Sequence, residues 1–158
     1  MTEKIAVFPG SFDPFTIGPE EIVNRGLSIF DQIIVAVGVN AVKVEFLNID
    51  TRIELIRKVF KDEPRVKVVS YSGLTVDFCK QIGANFIIRG LRTAADFEYE
   101  RAIGQINKAM FSDIETVFLL TSPKHTFISS TIVRDIFVNG GDVTNFLPSN
   151  ITTEDLEL

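Results

Sequence analysis

The chain has 158 residues, a length that suits one domain with a buried core. Its formal net charge of −5 argues against a surface that coats nucleic acid, because such a surface is basic. Although 46% of the residues are hydrophobic, no apolar run reaches the roughly 18 residues that span a bilayer. One cysteine cannot form an intrachain disulfide, and the first residues lack a signal-peptide pattern. We therefore expect a cytoplasmic protein without nucleic-acid or membrane partners.

Five short apolar segments, rich in β-branched residues, predict strands at residues 4–8, 32–39, 65–71, 85–89 and 115–121. Helical patterns lie between and after them, at residues 19–30, 49–61, 74–83, 96–110 and 130–138. This alternation predicts a Rossmann-like α/β fold, a doubly wound sheet of five parallel strands with helices on both faces. We expect a single domain over residues 1–158, with an acidic tail that frays from about residue 150.

Helical spacing assigns individual side chains to helix faces. The first helix places Val23, Leu27 and Phe30 on one face, and Cys79 in the third helix is a small core residue rather than a reactive thiol. The fourth helix aligns five side chains, Tyr99, Ala102, Ile103, Ile106 and Met110.

Residues 8–20, FPGSFDPFTIGPE, connect the first strand to the first helix. Pro9-Gly10 predicts the end of the strand, and a second turn at Asp13-Pro14 delays the helix until Gly18. At the carboxyl end of a strand in such a sheet, the backbone N–H groups of turns and helix N-termini bind phosphate. The segment contains neither GxGxxG nor GxxxxGK[ST]. By itself it is consistent with a phosphate site and also with an ordinary loop.

Cations follow other predicted strand ends. Lys43 follows the second strand, and Arg89 and Arg92 follow the fourth on either side of a glycine. Arginine binds phosphate through paired hydrogen bonds and lysine through a point charge, so three such cations in an acidic protein indicate a polyanion site.

A hydroxyl-rich segment, His125–Thr131, precedes and opens the fifth helix. Ser129 and Ser130 would cap this helix with or without a ligand. The carboxylates of Asp96, Glu98 and Glu100 likewise suit the positive end of the fourth helix dipole. A lone loop histidine such as His125 is more typical of an exposed side chain than of a general base.

Three motifs together resemble bacterial phosphopantetheine adenylyltransferase, a member of the nucleotidyltransferase superfamily. They are PGSFDPFTIG at residues 9–18, IIRGLR with DFEYE at residues 87–100, and FISST followed by VR at residues 127–134. The similarity runs from residue 4 to about residue 148. It implies transfer of the adenylyl group of ATP to 4'-phosphopantetheine, which gives dephospho-coenzyme A and pyrophosphate, with Mg²⁺. It also implies a homohexamer and inhibition by coenzyme A.

The resemblance also assigns roles by position. Ser11, Lys43 and Arg92 match catalytic positions. The positions that contact phosphopantetheine are Ser11, Lys43, Thr75 and Arg89. The positions that contact ATP are Ser11, Phe12, Gly18, Gly90, Leu91, Arg92, Glu100, His125, Thr126, Phe127, Ile128, Ser129, Ser130 and Thr131. No residue is assigned to a metal.

The chain departs from the family pattern at Pro19. The T-x-G-H signature of the family appears here as Thr16-Ile17-Gly18-Pro19, so the histidine that would stabilise the transition state is replaced by proline. Proline suits a position at or near the start of a helix, but it offers neither a side-chain donor nor an N–H. The loop after Lys43 also departs, with Val44-Glu45 where the family commonly has a second lysine and a small residue or proline.

Three functions therefore stay open. The first is an adenylyltransferase slowed by the loss of the imidazole. The second is a protein that binds nucleotide or coenzyme A without turnover. The third is a nucleotidyltransferase with another phosphorylated acceptor.

Overall fold

The computed structural model describes residues 1–157, so Leu158, which belongs to the expected domain and tail, lies outside the described residues. Five strands form one sheet: β1 Ile5–Gly10, β2 Gln32–Gly38, β3 Val66–Tyr71, β4 Phe86–Leu91 and β5 Glu115–Leu120. The helices are α1 Ile17–Gly26, α2 Ile49–Val59, α3 Thr75–Ile82, α4 Ala94–Met110 and α5 Ser130–Val138. Short 3-10 helices lie at Pro123–His125, Thr144–Phe146 and Glu154–Leu156.

The strands pair in the order β3-β2-β1-β4-β5, and every pair is parallel. The chain runs outward from β1 to β3 and then crosses to β4 on the other side of β1. A doubly wound sheet binds ligands where the strand order reverses in this way, outside the carboxyl ends of the strands. The prediction of a five-stranded parallel sheet in a doubly wound fold is confirmed.

Alternate residues of β1 point to opposite faces of the sheet, and helices cover both faces. Phe8 packs with Ile22 of α1 and Ile56 of α2. Val7 packs on the other face with Cys79 of α3. Cys79 is fully buried, as expected, and this burial raises the pKa of its thiol to about 11. None of the helices within residues 1–157 is both long and apolar enough to cross a membrane.

Strand β1 runs through Pro9 and Gly10, so the prediction that these two residues end it is wrong. Pro9 has no N–H to donate, but β1 pairs with β4 only at Ala6 and Val7, and the two strands have separated at Pro9. Pairing with β2 continues to Gly10. The strand therefore ends at Gly10 rather than at Phe8, and the turn begins correspondingly later in the chain.

Helix α1 begins at Ile17 and ends at Gly26, earlier at both ends than predicted. The N–H of Leu27 still bonds to the Val23 carbonyl, but the chain then leaves the helix. Phe30 is buried as predicted, although it lies in the connection to β2 rather than in the helix.

The apolar stripe of α4 is exposed. Tyr99, Ile103, Ile106 and Met110 are each between 37% and 69% exposed, and Glu100 is the one buried residue of the helix. The helix packs on β4 and on β5, which is the edge strand of the sheet. Within residues 1–157, no further element lies over the stripe.

The C-terminal tail packs against the body, so the expectation that it frays is wrong up to residue 157. Ile151 and Leu156 are buried in a cluster that includes Leu55 of α2. The ammonium of Lys58 lies 2.9 Å from the Asp155 carboxylate. Apolar side chains spaced between the acidic residues therefore anchor the tail.

We expect Leu156→Ala to lower the free energy of unfolding by about 2–5 kcal/mol, because it leaves a cavity in this cluster. Denaturant unfolding of the two proteins measures the change. Glu157→Ala, at the exposed neighbouring position, is the control and should leave stability within about 0.5 kcal/mol. Equal stability of both variants would contradict the anchoring role.

Candidate active site

A cavity of about 330 Å³ lies at the carboxyl ends of β1 and β4, where the strand order reverses. This volume is in the range of small-molecule sites. Most of the residues predicted for ATP or catalysis line it: Ser11, Phe12, Gly18, Pro19, Lys43, Gly90, Arg92, Glu100, His125, Ile128, Ser129, Ser130 and Thr131. Arg89, predicted to contact the acceptor, lines it as well.

Three predicted ATP residues do not line this first cavity. Leu91 ends β4 with its side chain buried, and its carbonyl accepts the N–H of Thr121. Phe127 is 64% exposed, and Thr126 bonds back to the Pro123 carbonyl.

A second cavity of about 440 Å³ adjoins the first. The two share five lining residues, Pro9, Gly10, Ser11, Arg89 and Glu100. Thr75, predicted to contact the acceptor, lines only the second cavity, and its hydroxyl lies 2.9 Å from that of Tyr71. The Thr116 hydroxyl also belongs to this wall and is buried without a hydrogen-bond partner in residues 1–157. Ser11 and Arg89, also predicted to contact the acceptor, line both cavities, as does Glu100, which was predicted for ATP. Lys43, predicted for the acceptor as well, lines the first cavity and not the second, so only Thr75 sets the acceptor residues apart.

Side chains from three other elements hold the end of β1 and the turn between β1 and α1. Phe12 adopts a left-handed conformation with φ of 48°, and its ring lies so close to Gly10 that a Cβ there would come within 2.7 Å of it. Four side chains donate to carbonyls at the end of β1 and in the turn at 2.5–2.8 Å: Arg89 to Pro9, Arg52 to Ser11, Arg134 to Asp13 and Ser130 to Pro14. These contacts fix the direction of the Pro9 carbonyl in β1 and of the Ser11, Asp13 and Pro14 carbonyls in the turn.

The N-termini of α1 and α5 both meet the first cavity. The N–H groups of a first helical turn have no partner within the helix and carry the positive end of its dipole, so they suit an anion. Pro19 is the third residue of α1 rather than the first, and it still lies in the turn where a missing N–H costs no intrahelical bond. Ser129 caps α5 by accepting the Ile132 N–H at 3.2 Å, as the capping alternative predicts.

The strand-end arginines are already paired with carboxylates. Arg89 makes two bonds to Glu100, at 2.6 and 2.9 Å. Arg92 lies 3.3 Å from Asp96 and also donates to the Ile128 carbonyl at 3.2 Å. Lys43, on the exposed loop after β2, makes no side-chain hydrogen bond within residues 1–157. It is therefore the strand-end cation whose charge is least compensated.

The carboxylates around the first cavity are also engaged. Both oxygens of Asp13 accept backbone N–H groups, and Asp96 and Glu100 pair with the two arginines. Within residues 1–157, no three His, Cys, Asp or Glu side chains gather into a set that could hold a metal ion. The side chains by themselves do not fit a resident Mg²⁺ site.

His125 is buried rather than exposed, and it belongs to a polar cluster with α1. Its Nδ1 lies 2.6 Å from a Glu21 carboxylate oxygen, and the Ser122 hydroxyl donates to the other oxygen. A carboxylate only accepts hydrogen bonds, so Nδ1 carries the proton. Burial raises the pKa of Glu21, but the bonds from Ser122 and His125 outweigh it and lower that pKa overall.

Sequence reasoning missed Glu21, Arg52 and the carboxylate role of Asp13. Arg52 carried a signal, because its spacing from Ile49, Ile53 and Ile56 places a charge inside the apolar stripe of α2. A charge at a core position indicates a buried polar partner. Glu21 carried no such signal, since its partner His125 is 104 residues away in the chain.

Comparison with known proteins places the chain in a family. The cytidylyltransferase-like family model matches residues 7–136. A relative from Flavobacterium psychrophilum named phosphopantetheine adenylyltransferase is 52% identical, over 92% of this chain and 96% of its own. One of the same name from Bacteroides fragilis is 47% identical, over 92% and 97%. The chain belongs to the phosphopantetheine adenylyltransferase family. The resemblance of the three motifs is confirmed at that level.

Solved structures share the fold of this phosphopantetheine adenylyltransferase family member at much lower identity. A candidate nicotinate-nucleotide adenylyltransferase from Vibrio parahaemolyticus is 21% identical with a TM-score of 0.73, covering 98% of this chain and 99% of its own. A bifunctional NMN adenylyltransferase/ADP ribose pyrophosphatase from Francisella tularensis is 15% identical with a TM-score of 0.73, over 95% and 46%. At these identities the likeness concerns the fold alone.

We expect Glu21→Gln to lower the free energy of unfolding at neutral pH by about 1–3 kcal/mol, since it leaves polar partners unsatisfied. A lowered pKa means that the ionised carboxylate favours the folded state. The difference from the wild type should therefore be full above the ordinary glutamate pKa of about 4.3 and fade as the pH falls through the lowered value. Denaturant unfolding of both proteins from about pH 3 to about pH 8 measures this difference in the free energy of unfolding.

The neighbouring Glu20→Gln is the matched control. Burial raises the pKa of Glu20, against a smaller opposing effect of His125, so its charge disfavours the folded state. This variant should be as stable as the wild type or more so at neutral pH. If Glu20→Gln lost as much stability as Glu21→Gln, the opposite effects of the two carboxylates on folding would be contradicted.

Proposed function

We propose that this chain transfers the adenylyl group of ATP to 4'-phosphopantetheine, giving dephospho-coenzyme A and pyrophosphate in coenzyme A biosynthesis. The observation that carries the proposal is the pair of adjoining cavities that share Ser11 and Arg89. Group transfer between two bound substrates needs this arrangement, because the reacting atoms must meet at one wall. The names of the relatives supply the identity of the acceptor.

ATP is assigned to the first cavity. Two helix N-termini, Arg92 and Arg134 supply donors and positive charge for the phosphates. His125 lies in the same wall, with its Nε2 free of any hydrogen bond within residues 1–157, and can contact the nucleoside. Leu91, Thr126 and Phe127 do not line this cavity, so in this proposal they do not contact ATP and only position the neighbouring backbone.

4'-Phosphopantetheine is assigned to the second cavity. Its wall combines the hydroxyls of Thr75 and Thr116 with apolar side chains of α4, among them Tyr99 and Ile103. A pantetheine arm is a chain of amides and methylene groups and suits such a mixed wall. Its phosphate would lie at the shared segment near Ser11, with Arg89 beside it.

The acceptor phosphate oxygen attacks the α-phosphorus of ATP in line while pyrophosphate leaves. No covalent intermediate with the protein is needed, so the residues position the groups and stabilise charge on the phosphoryl oxygens. Lys43 and Arg92 stabilise that charge, and Ser11 contacts both substrates. Mg²⁺ would be part of the ATP substrate, where it would neutralise phosphate charge, because this ion is usually bound through substrate phosphates and few protein ligands.

Pro19 favours a second candidate function, a nucleotide or coenzyme A-binding protein without turnover. The position of the family histidine lines the first cavity but carries no donor. Loss of one preorganised donor typically costs about 10²–10³ in rate, which slows a reaction without abolishing it. We therefore favour a slow enzyme over an inactive one.

A steady-state assay of dephospho-coenzyme A and pyrophosphate formation tests the proposal. Formation of both products from ATP and 4'-phosphopantetheine would support it. Binding of ATP or coenzyme A without pyrophosphate release, at high protein concentration, would favour the binding protein. Activity only with glycerol phosphate, choline phosphate or nicotinamide mononucleotide would favour another acceptor. Coenzyme A should inhibit, because it contains the pantetheine arm.

We expect Pro19→His to raise kcat by about 10²-fold, because it restores an imidazole donor to the cavity. Pro19→Ala is the matched control, since it removes the proline ring without adding a donor, and its kcat should stay near that of the wild type. The same product assay measures both. A similar kcat for all three proteins would contradict a catalytic use of this position.

We also propose a cytoplasmic homohexamer. The α4 stripe is an apolar surface on the rim of the second cavity, and such surfaces usually mark an interface. Its occupant in our proposal is α4 or β5 of a second copy, because β5 is an edge strand beside the stripe and shares its apolar character. The free, buried Cys79 is in keeping with a reducing compartment.

We expect Ile106→Glu to shift the assembly to smaller species, because it places a charge in the middle of the stripe. Light scattering coupled to size-exclusion chromatography measures the mass. Ile29→Glu is the control, since Ile29 is also an exposed isoleucine but lies on the loop after α1. Equal masses for both variants and the wild type would contradict an α4 interface.

A further inference from the structure

We propose that Arg52 is a positioning residue that holds the loop carrying Lys43 against the Ser11 turn. We define the Lys43 loop as residues 39–48, between β2 and α2. Arg52 lines neither the first nor the second cavity, so it acts through other residues. The inference deepens the proposed function, and it rests on Lys43 acting at the reacting phosphates.

Arg52 bridges the two loops with one guanidinium. It is only 3% exposed, on the face of α2 that otherwise carries apolar residues. One terminal nitrogen donates to the Ser11 carbonyl at 2.7 Å, and the other donates to the Glu45 carboxylate at 2.5 Å. The planar group fixes both partners at once, which a lysine cannot do in the same way.

Stability alone does not explain this arrangement. Apolar residues of similar volume often stabilise a fold as well as a buried ion pair does. In addition, the Nε of Arg52 is buried without a hydrogen-bond partner in residues 1–157, an arrangement that native structures mostly avoid. What the arginine provides is therefore the link that it makes.

The link decides where Lys43 lies. The end of the Lys43 loop is tied by Asp13, which accepts the N–H groups of Phe46 and Leu47 at 2.8 and 2.7 Å. On the other side, a turn bond joins the Lys43 N–H to the Asn40 carbonyl at 3.3 Å. Residues 41–45 are exposed, and the contact of Glu45 with Arg52 is the side-chain tie between those two points.

A small chamber of about 10 Å³ shows how closely these groups approach. Its lining includes Ser11, Asp13, Lys43, Glu45 and Arg52. The chamber has room for about one water molecule. Lys43, Ser11 and Arg52 thus line one and the same chamber.

Glu45→Ala breaks the link from its more exposed end, because 40% of the Glu45 side chain is exposed, and Arg52 keeps its bond to the Ser11 carbonyl. We expect kcat to fall about tenfold with KM for ATP within about twofold, since misplacement of a catalytic group acts mainly on the transition state. Glu63→Ala is the matched control. Arg65 likewise bridges Glu63 and a backbone carbonyl, that of Leu27, although its side chain is 49% exposed. Neither residue lines the two cavities, so the kinetics of this variant should be unchanged.

A double-mutant cycle separates positioning from general weakening. In a Lys43→Ala background, Glu45→Ala should have little further effect on kcat, because the group that it positions is gone. An equal effect of Glu45→Ala in both backgrounds would overturn the role for Lys43. So would a kcat of Glu45→Ala equal to that of Glu63→Ala.

Amide hydrogen exchange provides a readout that does not need activity. Glu45→Ala should speed exchange in a peptide covering residues 40–47, and Glu63→Ala should leave that peptide unchanged. If the wild type forms no dephospho-coenzyme A, the proposed function fails while exchange still tests the link between the loops. Unchanged exchange in Glu45→Ala would overturn that link.

Discussion

The candidate site depends on the hydrogen bonds that hold carbonyl oxygens at the end of β1 and in the turn that follows it. The donors come from β4, α2 and α5, so the turn reaches its shape only when these three elements are in place. Arginine suits this task because its long, planar side chain reaches across the sheet end and presents several donors in a fixed geometry. With its carbonyls held from outside, the turn leads into α1 so that the free N–H groups of the helix meet the cavity.

Charge is arranged locally in this protein. The chain as a whole is acidic, with a net charge of −5, yet the first cavity holds four cationic side chains and two helix N-termini. Arg89 and Arg92 are paired with carboxylates of the same protein, and these pairs keep the guanidinium groups oriented. Because the pairs are partly exposed to solvent, they add little to the stability of the fold. Lys43 is exposed and has no side-chain partner within residues 1–157, so its position depends on the loop that carries it.

Pro19 separates the requirements of the fold from those of the chemistry. In the first turn of α1 a proline costs no intrahelical bond, and α1 forms and packs through Ile22 and Val23 as in any amphipathic helix. The cavity, however, receives no donor at this position. In the proposed reaction, charge stabilisation would then fall to Lys43, Arg92 and the helix N-termini, and the placement of the Lys43 loop would matter for that reason.

The five strands, their parallel sheet and the segments that form the site are predictable from local signals, namely strand periodicity, turn residues and motifs. Three features emerge only when the chain folds: the α4 stripe stays exposed, the tail is anchored through Leu156, and His125 is buried against Glu21. Folding also decides the partners of Arg52, although a charge inside an apolar stripe marked that residue in advance. These features depend on contacts between residues tens of positions apart, and no spacing along the chain reports which distant surfaces will meet.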